Sequence, residues 1–282
     1  MPRHTDLSPL SQLMRRIDAV ADGAPPPDAV PTGFPSVDRL LGGGVRRGDL
    51  IVIGGDIGSG KSAFAIGVAL RGAQDERRVA FFSGETSVER VLERALAIEG
   101  RVAVDDIRNG RLDDQTRSSI GSVAVRLRDA PIVVERITGG AEVLADELRR
   151  TLDIHLAIVD PLQALTTGTR PQDEDLALAI RQLKVLAIEL ELALIVTAHL
   201  PQHARDRANR RPTLEDFGAL GAVKQHADVV LGLFREEMYQ TQGAEGATEV
   251  LALKNRNGAT GYVDLYFYKQ WMRFEDMLDP DR

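Results

Sequence analysis

Short apolar runs alternate along this chain with longer amphipathic stretches of helical period, and that rhythm predicts an α/β fold. Residues 50–53, 79–83, 131–134, 156–159, 193–197 and 229–234 are compact and rich in Val, Ile, Leu or Phe, as expected of strands buried on both faces of a parallel sheet. Residues 63–70, 87–99, 141–152 and 175–190 read as the intervening helices, and 103–127 as mostly helical. The end differs. Residues 249–255 and 262–268 are strands joined through Asn257-Gly258, a signature of an antiparallel hairpin, here expected to close the sheet. At the other end, Leu7, Leu10, Leu13, Met14, Ile17, Val20 and Ala21 share one helical face, with Ser8 as N-cap and Pro9 in the first turn. The Pro-rich stretch 23–32 cannot continue that helix and reads as a stiff linker. Two units are expected: a helix and linker over 1–31, and one large domain over 32–282. The helix packs on its own chain or docks on a neighbouring copy.

Composition narrows the class. With 43% hydrophobic and 27% charged residues among 282, the chain is an ordinary globular protein. It has no cysteine, which removes disulfides and thiolate zinc sites and suits a reducing cytoplasm. No run is long enough to span a membrane, and no signal peptide opens the chain. The net charge of −7 argues against a nucleic-acid coat, although a local basic strip remains compatible with it.

The strand 50–53 leads into Gly55, Asp56, Ile57, Gly58, Ser59, Gly60, Lys61 and Ser62, with Ala63 opening the next helix. Gly, four residues, then Gly-Lys-Ser between a strand and a helix is the phosphate-binding loop pattern. Glycines let successive N–H groups turn inward, and the helix start adds partial positive charge. Lys61 is then a point charge for the outer phosphates and the Ser62 hydroxyl a magnesium ligand. ATP and Mg2+ are the ligands this predicts.

Other polar residues lie where strands end. Asp160 follows Leu-Ala-Ile-Val at the carboxyl end of a strand, the edge where ligands sit in open α/β sheets; it is a magnesium-holding carboxylate or a turn cap. Glu85 follows the strand 79–83 and is a base for in-line attack on the γ-phosphate, or a stabiliser of the next helix start. His199 follows the strand 193–197; it is a structural histidine or a polar contact for a γ-phosphate. Residues 199–211 carry Arg205, Arg207, Arg210 and Arg211 against Asp206, a solvated loop or a contact for a phosphate backbone. Lys254 and Arg256, two apart on a strand, share a face; they form an exposed patch or complete an ATP site on the next subunit.

Several segments resemble the DnaB-type replicative helicases of the RecA-like superfamily. They are Thr32-Gly-Phe-Pro-Ser-Val-Asp-Arg-Leu-Leu-Gly-Gly-Gly, Asp105-Asp-Ile-Arg-Asn-Gly-Arg-Leu-Asp-Asp and Arg211-Pro-Thr-Leu-Glu-Asp. Gln225-His-Ala-Asp-Val-Val, Phe234-Arg-Glu-Glu-Met-Tyr and Lys254-Asn-Arg-Asn-Gly-Ala-Thr-Gly continue the likeness, which runs in order over about residues 32–275. It implies a RecA-like ATPase, a hexameric ring with ATP between subunits, and single-stranded DNA in the hole. Replication or loader proteins would be further partners. By position, Lys61 and Ser62 would bind phosphate and magnesium, Glu85 would be the base, Asp160 the second acidic group and His199 the γ-phosphate sensor. Lys254 and Arg256 would act in trans, and the first helix would resemble the linker helix that docks on an adjacent subunit.

The chain departs from the pattern in three places. Only residues 1–31 precede the core, so the helicase amino-terminal domain is expected to be missing. The sensor is His199, as in phage-type relatives, where bacterial members usually carry Gln. The DNA-loop pattern Asp-Leu-Arg-Glu-Ser-Gly appears as Asp216-Phe-Gly-Ala-Leu-Gly, without its Arg and its acid. The phosphate-loop and Ser-Gly-Glu segments also look like the RadA branch. The leading expectation is an ATP-dependent ring motor on single-stranded DNA. The alternative is a nucleotide-switched regulatory or assembly ATPase without unwinding, favoured by the altered loop and the negative charge.

Overall fold

The computed structural model describes residues 8–24, 26–151, 153–201, 207–240 and 243–277. In chain order it begins with α1 (Pro9–Ala21), β1 (Ala29–Val30), α2 (Pro35–Leu40), β2 (Val45–Arg46), β3 (Leu50–Gly55) and α3 (Lys61–Gln74). Next come β4 (Val79–Ser83), α4 (Val88–Gly100), α5 (Val104–Asn109), α6 (Asp114–Asp129), β5 (Ile132–Arg136) and α7 (Ala141–Arg150). β6 (Leu156–Asp160), α8 (Gln172–Glu189), β7 (Ala193–Ala198), α9 (Ala222–His226) and β8 (Val229–Phe234) follow. The chain finishes on β9 (Ala247–Asn255), β10 (Gly261–Tyr268) and β11 (Arg273–Asp276).

One sheet organises the molecule, in the order β11-β10-β9-β8-β3-β7-β6-β4-β5. From β8 to β5 the strands are parallel; β9, β10 and β11 are added antiparallel. The inner parallel strands read as unbroken apolar runs because both faces are covered, whereas edge strand β5 exposes Val133 and ends in Glu135 and Arg136. Along β3, Ile51 and Ile53 enter the core shared with α3 and α4, while Leu50 and Val52 enter the one built with α7 and α8. β9 instead alternates buried and half-exposed positions, as a strand with one wet face does.

The expected architecture is present, with differences at its margins. The stretch 103–127 is two helices, because Gly110 takes a left-handed conformation (φ +65°) that ends α5, and Asp113 then caps α6 by accepting from Thr116 N–H at 2.7 Å. The antiparallel end is three strands, so the 249–268 hairpin does not close the sheet. β11 holds it through Phe274, which stacks on Phe267 at 4.4 Å and meets the Phe64 ring edge-on at 5.7 Å. Ahead of the core, Val30 on β1 is already buried, and Asp38 pins the next turn by accepting from Thr32 N–H (2.6 Å), its hydroxyl (2.7 Å) and Gly33 N–H (3.2 Å).

Helix α1 stands apart. Ser8 caps it as expected, accepting from Ser11 N–H at 3.3 Å, yet none of its residues is buried. Leu10, Leu13, Met14, Ile17 and Val20 are all exposed, so packing on its own core is not what this stripe does. Leu7 and Pro25, and Leu152 at the end of the expected 141–152 helix, lie outside the described residues. Among the described residues no helix is long and apolar enough to cross a membrane.

Candidate active site

The phosphate loop joins β3 to α3 at the carboxyl edge of the parallel strands, next to β7 and β8. Gly58 (φ +84°) and Gly60 (φ +100°) take left-handed conformations that bring the backbone round to the start of α3. A Cβ on Gly60 would lie 2.8 Å from the Phe274 ring, so the loop's shape also depends on β11. Gly60 C=O accepts the first helical bond, from Phe64 N–H at 2.8 Å, which leaves the amides of Lys61, Ser62 and Ala63 as first-turn donors without helical partners.

Lys61 is 9% exposed and its Nζ folds over the loop, donating to Gly55 C=O at 2.8 Å and Asp56 C=O at 3.1 Å. Burial pushes its ammonium pKa down, while the charges of Asp160, Asp56 and Glu85 pull the other way. The buried Ser59 hydroxyl finds no partner among the described residues. A curled backbone, free first-turn amides, a desolvated ammonium and an orphan hydroxyl together fit a polyanion. The adjoining cleft, about 370 Å³, is lined by Gly55, Asp56, Lys61, Gln163, Asp173 and His199 among others.

The acidic residues converge on the same edge. Asp160 ends β6 with 6% exposure, and Thr197 on neighbouring β7 donates its hydroxyl to Oδ1. Glu85 and His199, brought from β4 and β7, meet with Nε2 and Oε1 3.5 Å apart, both side chains substantially exposed. Gln163 Oε1 accepts from His199 N–H at 3.1 Å and so fixes the His199 backbone. No group of three His, Asp or Glu that could hold a metal exists among the described residues. A divalent ion here would therefore be completed by substrate oxygens and water, which is the habit of magnesium.

Lys254 and Arg256 lie at the opposite edge of the sheet. β9 runs antiparallel to β8, so Asn255 pairs with Val229, which lies beside Ile51. Arg256 is thus level with the start of β3, about 17 Å of strand from its own phosphate loop. Both side chains turn to the end of α9: Lys254 Nζ donates to Lys224 C=O at 2.7 Å, and Arg256 Nη2 to Gln225 C=O at 2.8 Å. Burial and the neighbouring Arg256 lower the Lys254 pKa.

The basic loop differs most from expectation. Arg207 forms a two-pronged pair with buried Asp216 (2.7 and 2.8 Å) and also donates to Asn209 and Arg211 carbonyls. Arg211 pairs with Glu249 at 2.6 Å and lies over the Phe234 ring at 4.8 Å. Arg210 sits over Tyr239 at 5.3 Å and makes no ion pair among the described residues; Arg205 lies outside them. Summing charge over 199–211 misses these partners, so Arg207 and Arg211 present much less free positive charge than the sequence suggests. Arg207→Ala should cost about 3 kcal/mol of unfolding free energy in a denaturant titration, because it takes the Arg207 cation from a buried carboxylate.

Residues with no role assigned from sequence shape the loop. Arg235, 5% exposed, donates to Gly58 C=O at 3.1 Å and pairs with Glu237, while Tyr239 O–H donates to Asp56 Oδ2 at 3.0 Å. Their segment, Phe234-Arg-Glu-Glu-Met-Tyr, is visible in the sequence as a family likeness only. Thr197 and Gln163 are legible there only as polar positions beside strand ends.

The chain is similar to known proteins. The family model for the DnaB-like helicase C-terminal domain matches residues 29–276. The replicative DNA helicase DnaC of Bacillus subtilis (strain 168) is 28% identical over 257 residues, covering 88% of this chain and 56% of the relative. The replicative DNA helicase DnaB of Leifsonia xyli subsp. xyli is 30% identical over 256 residues with the same coverage. The chain therefore spans little more than half the length of these relatives. Among solved structures, one described as an ATPase domain superposes with a TM-score of 0.87 at 22% identity, covering 95% of this chain and 98% of that one. A DnaB-like replicative helicase solved for its interactions with primase gives 0.86 at 23% identity, covering 95% and 66%. At that identity the superpositions speak for a shared fold. With its whole core matched, from β1 to β11, the chain belongs to the DnaB-like helicase C-terminal domain family.

Proposed function

We propose that this protein is a ring-forming ATPase of the cytoplasm that translocates on single-stranded DNA, and that each ATP is hydrolysed between two copies. The observation that supports this best is the placement of the phosphate loop and Arg256 at opposite edges of one sheet. A cation so far from its own loop can serve a nucleotide only if that nucleotide belongs to a neighbouring copy.

In this reading the first-turn amides of α3 and Lys61 bind the β- and γ-phosphates, and Ser62 and Asp160 hold Mg2+. The ion supplies charge neutralisation across the phosphates when bound. Glu85 takes a proton from the attacking water, and Thr197 keeps the Asp160 carboxylate oriented. Lys254 and Arg256 of the adjacent copy neutralise charge that builds on the γ-phosphate. His199, in contact with Glu85, registers loss of that phosphate and passes it to the chain beyond β7. The exposed stripe of α1 docks on an adjacent copy and ties the ring. DNA contact falls to Arg210, with Arg205, rather than to Arg207 or Arg211. Replication or loader proteins, of which a primase is one, are the proposed partners.

The rival, a nucleotide switch without unwinding, is not favoured, since the matched relatives are named replicative helicases. ATP turnover measured with and without single-stranded DNA separates the two. The motor predicts stimulation of about tenfold that falls as salt rises. Equal rates, with no salt-sensitive DNA binding, contradict it.

A further inference from the structure

At the sheet edge opposite the phosphate loop, the Asp228 carboxylate collects three donors. Its side chain is 6% exposed. Oδ2 accepts from Leu50 N–H at 2.9 Å and from Lys184 Nζ at 2.6 Å; Oδ1 accepts from Arg256 Nη1 at 2.9 Å. The Asp228 carbonyl takes Arg256 N–H, also at 2.9 Å. A carboxylate this deep requires a partner, but one cation would suffice. Two are present, and they differ: Lys184 is 17% exposed, Arg256 49%.

That asymmetry has a consequence for the guanidinium. Its inner edge is tied to Asp228 and the Gln225 carbonyl, which uses two of its five donors on described residues. Its outer edge faces solvent. With Lys184 neutralising Asp228, the trio keeps one net positive charge; an Asp–Arg pair alone would cancel the charge that a phosphate needs. A long, flexible arginine fixed beforehand loses less freedom when it meets its target.

We propose that Asp228 is a positioning residue for catalysis in trans, holding Arg256 with its free edge aimed at the nucleotide of an adjacent copy. This rests on the proposed role of Arg256 at the shared site.

The test is subunit mixing. Asp228→Asn keeps the size but removes the charge and puts an NH2 donor in place of one acceptor oxygen; alone it should lower kcat about 10- to 100-fold with the KM for ATP within about twofold. Lys61→Ala is inactive alone but retains a sound Arg256. Mixed, the two should recover several times the sum of their separate rates, because the Asp228→Asn loop meets the Lys61→Ala arginine. Where Asp228→Asn fails to assemble, Asp228→Glu replaces it, with the same loss alone and the same recovery expected. Arg256→Ala mixed with Lys61→Ala is the control. Recovery with Arg256→Ala but not with the Asp228 variant makes Asp228 merely structural and overturns the proposal. No recovery with either removes the shared site on which it rests. An Asp228→Asn protein of full activity overturns it as well.

Discussion

Arg256→Ala is expected to lower ATP turnover by about 10³-fold or more, while the affinity for ATP stays within about threefold. The size follows from what an arginine supplied across an interface contributes to phosphoryl transfer. The sparing of affinity follows from the proposed division of labour: the loop, Lys61 and the α3 amides would hold the nucleotide within one copy, and Arg256, about 17 Å of strand from that loop, would meet only the γ-phosphate of a neighbour's. The loss should therefore appear in kcat. Equilibrium binding of a fluorescent ATP analogue, run beside steady-state hydrolysis, separates the two quantities. Equal losses in both would place Arg256 in ground-state binding instead.

Glu85→Gln should lower kcat by about 10²- to 10⁴-fold, the usual worth of a positioned base, again with ATP retained. Gln keeps the size and an acceptor towards His199 Nε2 but cannot take a proton. Glu85 also stands before Ser87, which caps α4 by accepting from Arg90 N–H at 3.4 Å, so a purely helix-stabilising role must be distinguished. In that case the substitution would shift the thermal midpoint and leave turnover nearly unchanged. The catalytic role predicts the reverse. Trapped ATP in the Glu85→Gln assembly, seen by rapid filtration, would complete the assignment.

How much of this is legible in the sequence depends on the range over which each signal acts. The inner parallel strands announce themselves because burial on both faces makes a continuous apolar run, and the phosphate loop because all its groups are contiguous. β11 does not, since Phe274 is its sole apolar residue and gains meaning only against Phe64 and Phe267. The Asp160 partner Thr197 comes from another strand and the Arg256 partner Asp228 from the turn before β8, so neither pairing is marked locally. Arg207 and Arg211 show the opposite failure. Their charges are plain in the sequence, but the carboxylates that take them up, Asp216 and Glu249, are 9 and 38 residues away. Composition counts charge; only the fold says whether it is free.

A nucleotide cradled by one copy and triggered by another makes turnover a property of the assembly, not of the chain. The decisive experiment is specific ATPase activity across a dilution series, with particle mass followed in the same samples. Turnover per chain is expected to collapse as the assembly falls to single chains, and to return on reconcentration. A rate per chain that holds steady when every particle has the mass of one chain would contradict the shared site.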